Sequence, residues 1–204
     1  MNLQNLFEIQ KELDEHIEKI HPRQEGEDRL SKKILALQVE LAECAQESRC
    51  FKFWSHNQDP RIKDYKQTKC KWCNGSGDDG TGVCPDCRSS GDVYKEYNPL
   101  LEEYVDCLHF ILSIGLERKF DECELEYLHE GNFGLFTTKD INQQFIDTFH
   151  AVFAFVSDPV DDIYQEMFLH FVGLGQLLGF TWEEIEQAYM KKNAVNFERQ
   201  ENGY

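Results

Sequence analysis

Apolar residues recur at steps of three and four through most of this chain, a period that admits little besides packed α-helices. Residues 2–20 carry Leu3, Leu6, Gln10, Leu13, Ile17 and Ile20 on one stripe, and His21-Pro22 ends it. Residues 29–54 read as a second long helix with Ile34, Leu37, Leu41 and Ala45 on its apolar side. Asn98-Pro99 opens a third, with Asn as N-cap and Pro at the first helical position; Leu101, Val105, Leu108 and Leu112 continue it to Arg118. Residues 138–156 form a Phe-rich fourth, Asp158-Pro159 starts a fifth that stops near Gly179, and Thr181-Trp182-Glu183-Glu184 is a capping box for a sixth. Strand-type alternation is scarce. The pattern predicts one all-α helical bundle over residues 1–204, with 56–97 as an irregular insert between the second and third helices. No internal repeat stands out.

The balance of 38 acidic against 21 basic residues, a formal charge of −17, excludes a binder of nucleic-acid polymers, which needs surplus Lys and Arg. It leaves room for an acidic enzyme acting on a nucleotide, because bound cations reverse the local sign. No apolar run approaches the ~18 residues of a membrane span. The first residues lack the basic-then-apolar order of a secretion signal, so a cytoplasmic protein with reduced or metal-bound cysteines is expected.

Two acidic pairs stand out. Glu40 and Glu43 lie in the second helix, Glu103 and Asp106 early in the third, and three-residue spacing puts each pair on one face. If the helices pack side by side, four carboxylates converge. Two such charges ~6 Å apart repel by roughly 3 kcal/mol at an effective dielectric of 20. The cluster then needs protons, bases or a hard cation such as Mg²⁺ or Mn²⁺. The plainer alternative is two solvated helix faces in an acidic protein.

The neighbouring residues add a resemblance. The run from Leu37 through Glu40, Glu43 and Glu47 to Trp54 and Ser55 is similar to a motif of the dimeric dUTPases, members of the all-α nucleoside triphosphate pyrophosphatase superfamily with the MazG-type enzymes. Glu102-Glu103-Tyr104-Val105-Asp106 and the following Cys107-Leu108-His109 resemble the motif that completes that family's metal site. Gln10-Lys11-Glu12-Leu13-Asp14 is similar to its uracil-reading motif, and Lys192 through Asn196, Arg199 and Gly203 to its closing phosphate-binding motif. Two departures are visible: the insert lengthens the gap between Glu43 and Glu103, and Asp14 stands where many members have Asn. Asn both donates to and accepts from a pyrimidine edge, whereas ionised Asp only accepts.

The resemblance implies Mg²⁺ (or Mn²⁺) at Glu40, Glu43, Glu103 and Asp106, with Glu40 and Glu43 in catalysis; one of the four carboxylates, Glu40 the first choice, then orients or deprotonates the attacking water. It implies substrate contacts from Gln10, Asp14, Trp54, His109, Lys192, Asn196 and Arg199, and hydrolysis of dUTP to dUMP and pyrophosphate. Helix patterning supports two of these assignments. Gln10 occupies a stripe position where a plain core wants Leu, and the sixth helix turns from Ile185 and Tyr189 to Lys192, Asn196 and Arg199 along one face. Each has a plainer reading: a satisfied core amide for Gln10, a helix C-terminal charge for Lys192 and Arg199, a hydrophobic plug for Phe51, Phe53 and Trp54, and a hydrogen-bonded core residue for His109.

Cys70-Lys71-Trp72-Cys73 and Cys84-Pro85-Asp86-Cys87 are two C-x-x-C knuckles with ten residues between them, the spacing of a closed tetrahedral Zn²⁺ site. Four thiolates leave no open position, so a structural metal is expected, standing in for an apolar core that the insert lacks. Phe145, Phe149, Val152, Phe153, Phe155 and Val156 give the fourth helix more than one apolar face, which with the resemblance predicts a homodimer. Other readings are a MazG-like pyrophosphatase for another nucleoside triphosphate, a zinc-finger adaptor without catalysis, and a di-iron bundle using Glu126-x-x-His129.

Overall fold

The computed structural model describes residues 3–120 and 136–203, so the Glu126-x-x-His129 spacing lies outside the described residues. Its elements are α1 (Leu3–Ile20), α2 (Arg29–Ser48), β1 (Asp64–Lys69), β2 (Asp92–Tyr97), α3 (Pro99–Arg118), α4 (Ile141–Ser157), α5 (Asp161–Leu177) and α6 (Trp182–Glu201). The mostly helical architecture agrees with the sequence reading. The chain forms two compact units, one of residues 1–60 with 100–204 and one of residues 61–99. No helix among the described residues is long and apolar enough to cross a membrane.

Three local features differ from the sequence reading. The helix expected over 29–54 stops at Ser48, because Arg49 turns into the left-handed region at φ 59° while its N–H still bonds to Ala45. The Arg49 guanidinium holds the reversal by donating to the Asn57 carbonyl at 2.6 Å. Phe51, Phe53 and Trp54 therefore sit in a turn-rich segment and are exposed, Phe53 at 84%, rather than plugging a helix end. The fifth helix starts at Asp161, since Asp158 is spent as the C-cap of α4. The segment expected to be irregular carries the antiparallel hairpin β1–β2, paired from Asp64 with Tyr97 to Lys69 with Asp92.

In the larger unit α3 is the central helix. Tyr104, Val105, Cys107, Leu108, Ile111, Leu112 and Ile114 cover more than one of its sides and are all buried. Each large apolar side chain so placed contributes about 1.5–3 kcal/mol by leaving water. α5 runs antiparallel beside α3, and two tyrosines lock the pair reciprocally. The Tyr104 hydroxyl of α3 donates to the Phe171 carbonyl of α5 at 3.1 Å, and the Tyr164 hydroxyl of α5 donates to the Ile111 carbonyl of α3 at 3.0 Å. Each hydroxyl fits over a glycine of the opposite helix, where a Cβ at Gly175 or Gly115 would collide with it. α6 packs along α1, and its start is set by the capping box between Thr181 and Glu184.

The smaller unit buries little that is apolar. Cys70, Cys73, Cys84 and Cys87 form its core, with Val93 partly buried against them.

Candidate active site

The acidic pairs on α2 and α3 meet inside the larger unit. Leu41 and Val105 face the apolar core, which turns the flanking carboxylates toward the seam between the helices. Oxygens of Glu40, Glu43 and Glu103 lie within 4.8 Å of one another. Glu40 and Glu103 are half-buried and Glu43 is exposed, so the triple opens on one side to solvent. Asp106, one turn beyond Glu103, is not in the triple. Its Oδ2 accepts from Lys192 Nζ of α6 at 2.5 Å, and the same ammonium reaches Glu102 Oε1 at 3.0 Å.

The electrostatics follow from this crowding. Burial, and then the charges of Asp106 and the neighbouring glutamates, push both Glu40 and Glu103 up to about 7. Burial raises Asp106 as well, against the pull of Lys192. For Lys192 burial alone would lower the value, and the pairing with Asp106 and Glu102 outweighs it. Three oxygens within ligand range, two of them on carboxylates that resist ionisation without a counter-charge, fit a hard divalent cation.

Beside this cluster lies a buried polar network. Gln10 of α1 is 3% exposed. Its Oε1 accepts from the Tyr189 hydroxyl at 2.7 Å and from His109 Nδ1 at 2.8 Å, and its Nε2 donates to Asp14 Oδ1 at 2.7 Å. An amide oxygen only accepts, so His109 carries its proton on Nδ1 and leaves a lone pair on Nε2. His109 stacks on Tyr189 with centroids 4.1 Å apart. Burial, then the nearby Lys192, lowers His109 to about 3, so the ring is neutral. Asp14 Oδ2 accepts from Ser113 Oγ at 2.5 Å and Lys33 Nζ at 3.3 Å, and Lys33 bridges onward to Glu117 at 3.2 Å.

The expected tail residues are spread along α6. Lys192 points into the acidic cluster, Asn196 is half-buried, and Arg199 is exposed near the C-terminal end. The buried face of α6 carries Ile185, Tyr189 and Asn193. Sequence reasoning passed over Asn193, although its four-residue step from Tyr189 on that stripe marks it as inward-facing. It also passed over Lys33 and Ser113, which complete the surroundings of Asp14 from α2 and α3; neither carries a local sequence signal. Buried atoms without a hydrogen-bond partner among the described residues include His109 Nε2 and Asn193 Nδ2. Leaving such an atom unpaired costs about 1–3 kcal/mol. In the smaller unit, one sulfur from each of Cys70, Cys73, Cys84 and Cys87 lies within 4.8 Å of the other three.

Comparison with curated proteins and with solved structures gives no match. Comparison with family models matches dUTPase over residues 2–68 and 90–204, leaving out the stretch that carries both C-x-x-C knuckles. With its helical fold, its carboxylate triple and a match spanning nearly the whole chain, the protein belongs to the all-α dUTPase family, whose members are hydrolases of the dUTP diphosphatase type.

Proposed function

We propose that the protein is a Mg²⁺-dependent dUTP diphosphatase that splits dUTP into dUMP and pyrophosphate. The observation that carries this reading is the convergence of Glu40, Glu43 and Glu103 in a chain of the dUTPase family. Glu40, Glu43, Glu103 and Asp106 would hold Mg²⁺, or Mn²⁺ in its place. When bound, the cation neutralises the phosphate oxygens and the charge that grows on them during hydrolysis.

The chain's own residues divide the remaining work. Glu40 accepts a proton from the water that attacks the α-phosphorus, and the bond to the oxygen bridging toward the β-phosphate breaks. Lys192 exchanges Asp106 and Glu102 for phosphate oxygens, and Asn196 and Arg199 extend that grip along α6. His109 Nε2 accepts from the pyrimidine N3–H, and Asn193 Nδ2 donates to a ring carbonyl, so each unpaired atom gains a partner. Gln10 and Asp14 form the wall that fixes His109 and Tyr189, and the exposed Trp54 supplies a ring to cover the base.

A second reading, a MazG-like pyrophosphatase for another nucleoside triphosphate, is favoured by one feature. Both oxygens of Asp14 are already engaged by Gln10, Ser113 and Lys33, which limits what they can offer a uracil edge. A screen of all deoxynucleoside triphosphates with Mg²⁺ separates the two. We expect dUTP to be hydrolysed fastest, chelation to stop turnover and Mg²⁺ to restore it. Glu43→Gln should lose more than the ~10–100-fold typical of residues that merely support a metal ligand. Faster turnover of another nucleotide selects the second reading. Absence of hydrolysis altogether selects a non-catalytic adaptor, and full activity of Glu43→Gln removes that residue from the metal site.

A further inference from the structure

We propose that Cys70, Cys73, Cys84 and Cys87 hold one structural Zn²⁺ ion, in a two-fold pseudosymmetric site that lies in the stretch where the family match is interrupted. The sulfurs of Cys70 and Cys84 are 3.8 Å apart and those of Cys73 and Cys87 are 3.6 Å apart. Both separations are far beyond the ~2.05 Å of a disulfide. A tetrahedron with Zn–S bonds of about 2.3 Å has S–S edges of about 3.8 Å, so the thiols already stand at ligand spacing.

The surroundings of the sulfurs repeat. Cys70-Lys71-Trp72-Cys73-Asn74-Gly75-Ser76-Gly77 and Cys84-Pro85-Asp86-Cys87-Arg88-Ser89-Ser90-Gly91 share the pattern C-x-x-C-x-x-S-G. The Gly77 N–H donates to Cys73 Sγ at 3.2 Å, and the Gly91 N–H donates to Cys87 Sγ at 3.3 Å. Ser76 Oγ donates to the Cys73 and Asp78 carbonyls, and Ser90 Oγ makes the matching bonds to Cys87 and Asp92. The halves are cross-linked symmetrically: Cys70 N–H donates to the Gly91 carbonyl at 2.8 Å, and Cys84 N–H to the Gly77 carbonyl at 3.0 Å. Gly77 and Gly91 both adopt positive φ, 78° and 79°, and a Cβ on either would strike the backbone of the opposite half. The two half-sites thus fit each other only with glycine at these positions.

At Cys73 and Cys87 the backbone is arranged for thiolates. Backbone N–H groups aimed at sulfur favour the anionic form, which is the metal-binding form. The Cys70 thiol also donates to Asp86 Oδ2 at 3.4 Å, a contact that metal ligation replaces. Four thiolates complete the coordination and leave no position for a substrate, so the ion organises the fold of residues 61–99 and takes no part in hydrolysis. It supplies what that unit lacks, since its core consists of the four cysteines and part of Val93.

The test uses the full-length protein after Mg²⁺ has been washed out. Elemental analysis should find about one zinc per chain, and titration with a mercurial should release it as four thiols react. Protein loaded with Co²⁺ in place of zinc should show the thiolate charge-transfer and tetrahedral ligand-field bands of an S₄ site. Cys70→Ser and Cys84→Ser should each lose the metal, and hydrogen exchange should then rise within residues 61–99. If those variants do not fold, the three measurements on the unaltered protein decide. Zinc-free protein with four freely reactive thiols overturns the proposal, as does a Cys84→Ser variant that keeps its full equivalent. Iron in place of zinc overturns the choice of metal. None of these results depends on the nucleotide the enzyme hydrolyses.

Discussion

Glu40 and Glu103 lie where half-burial and like charge act in the same direction, and their raised values set a pH dependence that can be measured. An ordinary glutamate titrates at 4.5, and these two, in the metal-free protein, at about 7. Between those values the folded state binds more protons than the unfolded state, so stability falls as pH rises through the window and levels off above it. A divalent cation that replaces those protons should stabilise the protein more at about pH 8 than at about pH 5. Melting curves in chelator and in Mg²⁺ over that range test this; a Mg²⁺ increment that does not grow with pH contradicts it. Glu117, held low chiefly by its hydrogen bonds from Arg23, acts in the opposite sense and below this window, where stability falls as pH falls. Of the candidate site residues, the carboxylate pairs were legible because three-residue spacing on a helix specifies a face. The partners of Gln10 and Asp14 were not, because Lys33, Ser113, His109 and Tyr189 come from three other helices.

At the scale of elements, local signals placed some helix boundaries and missed others. Pro99 and the Thr181–Glu184 capping box mark the starts of α3 and α6 where the sequence reading put them. The end of α2 escaped, because its left-handed terminator is Arg49 rather than the usual glycine, and what stabilises the turn is a contact to Asn57. The locking of α3 to α5 was equally silent, since Tyr104 and Gly175 are far apart in the chain. That contact makes a sharp prediction. Gly175→Ala gains up to about 1 kcal/mol in helix propensity, yet it forces a methyl group into the Tyr104 hydroxyl, which costs about 1–3 kcal/mol. The net effect should be destabilising in urea unfolding. Adding Tyr104→Phe removes the colliding oxygen and should recover part of the loss; a double variant showing no coupling would dismiss the lock.

Across the whole molecule, α4 shows two apolar faces. Phe145, Val152 and Phe155 are buried in the larger unit, while Ile146, Phe153 and Val156 are exposed, Phe153 at 56%. With the half-buried Phe149, the outward residues form a stripe at helical spacing that we expect a second copy of the chain to cover. Light scattering at micromolar concentration should give a dimer mass, and Phe153→Asp should shift it toward the monomer. A monomer in the unaltered protein would refute this. Periodicity, spacing and punctuation by themselves determined the helical architecture, the two carboxylate pairs and the two cysteine knuckles, because each is written in residues within a few positions of one another. Only the tertiary structure decided that Glu40, Glu43 and Glu103 form one triple while Asp106 turns to Lys192. It alone revealed that each knuckle is closed by the other's backbone, although the C-x-x-C-x-x-S-G pattern they share stands in the sequence. The physical reason is the same in both cases: charge balance and close packing are properties of groups brought together from distant segments, and short-range pattern carries no record of which segments will meet.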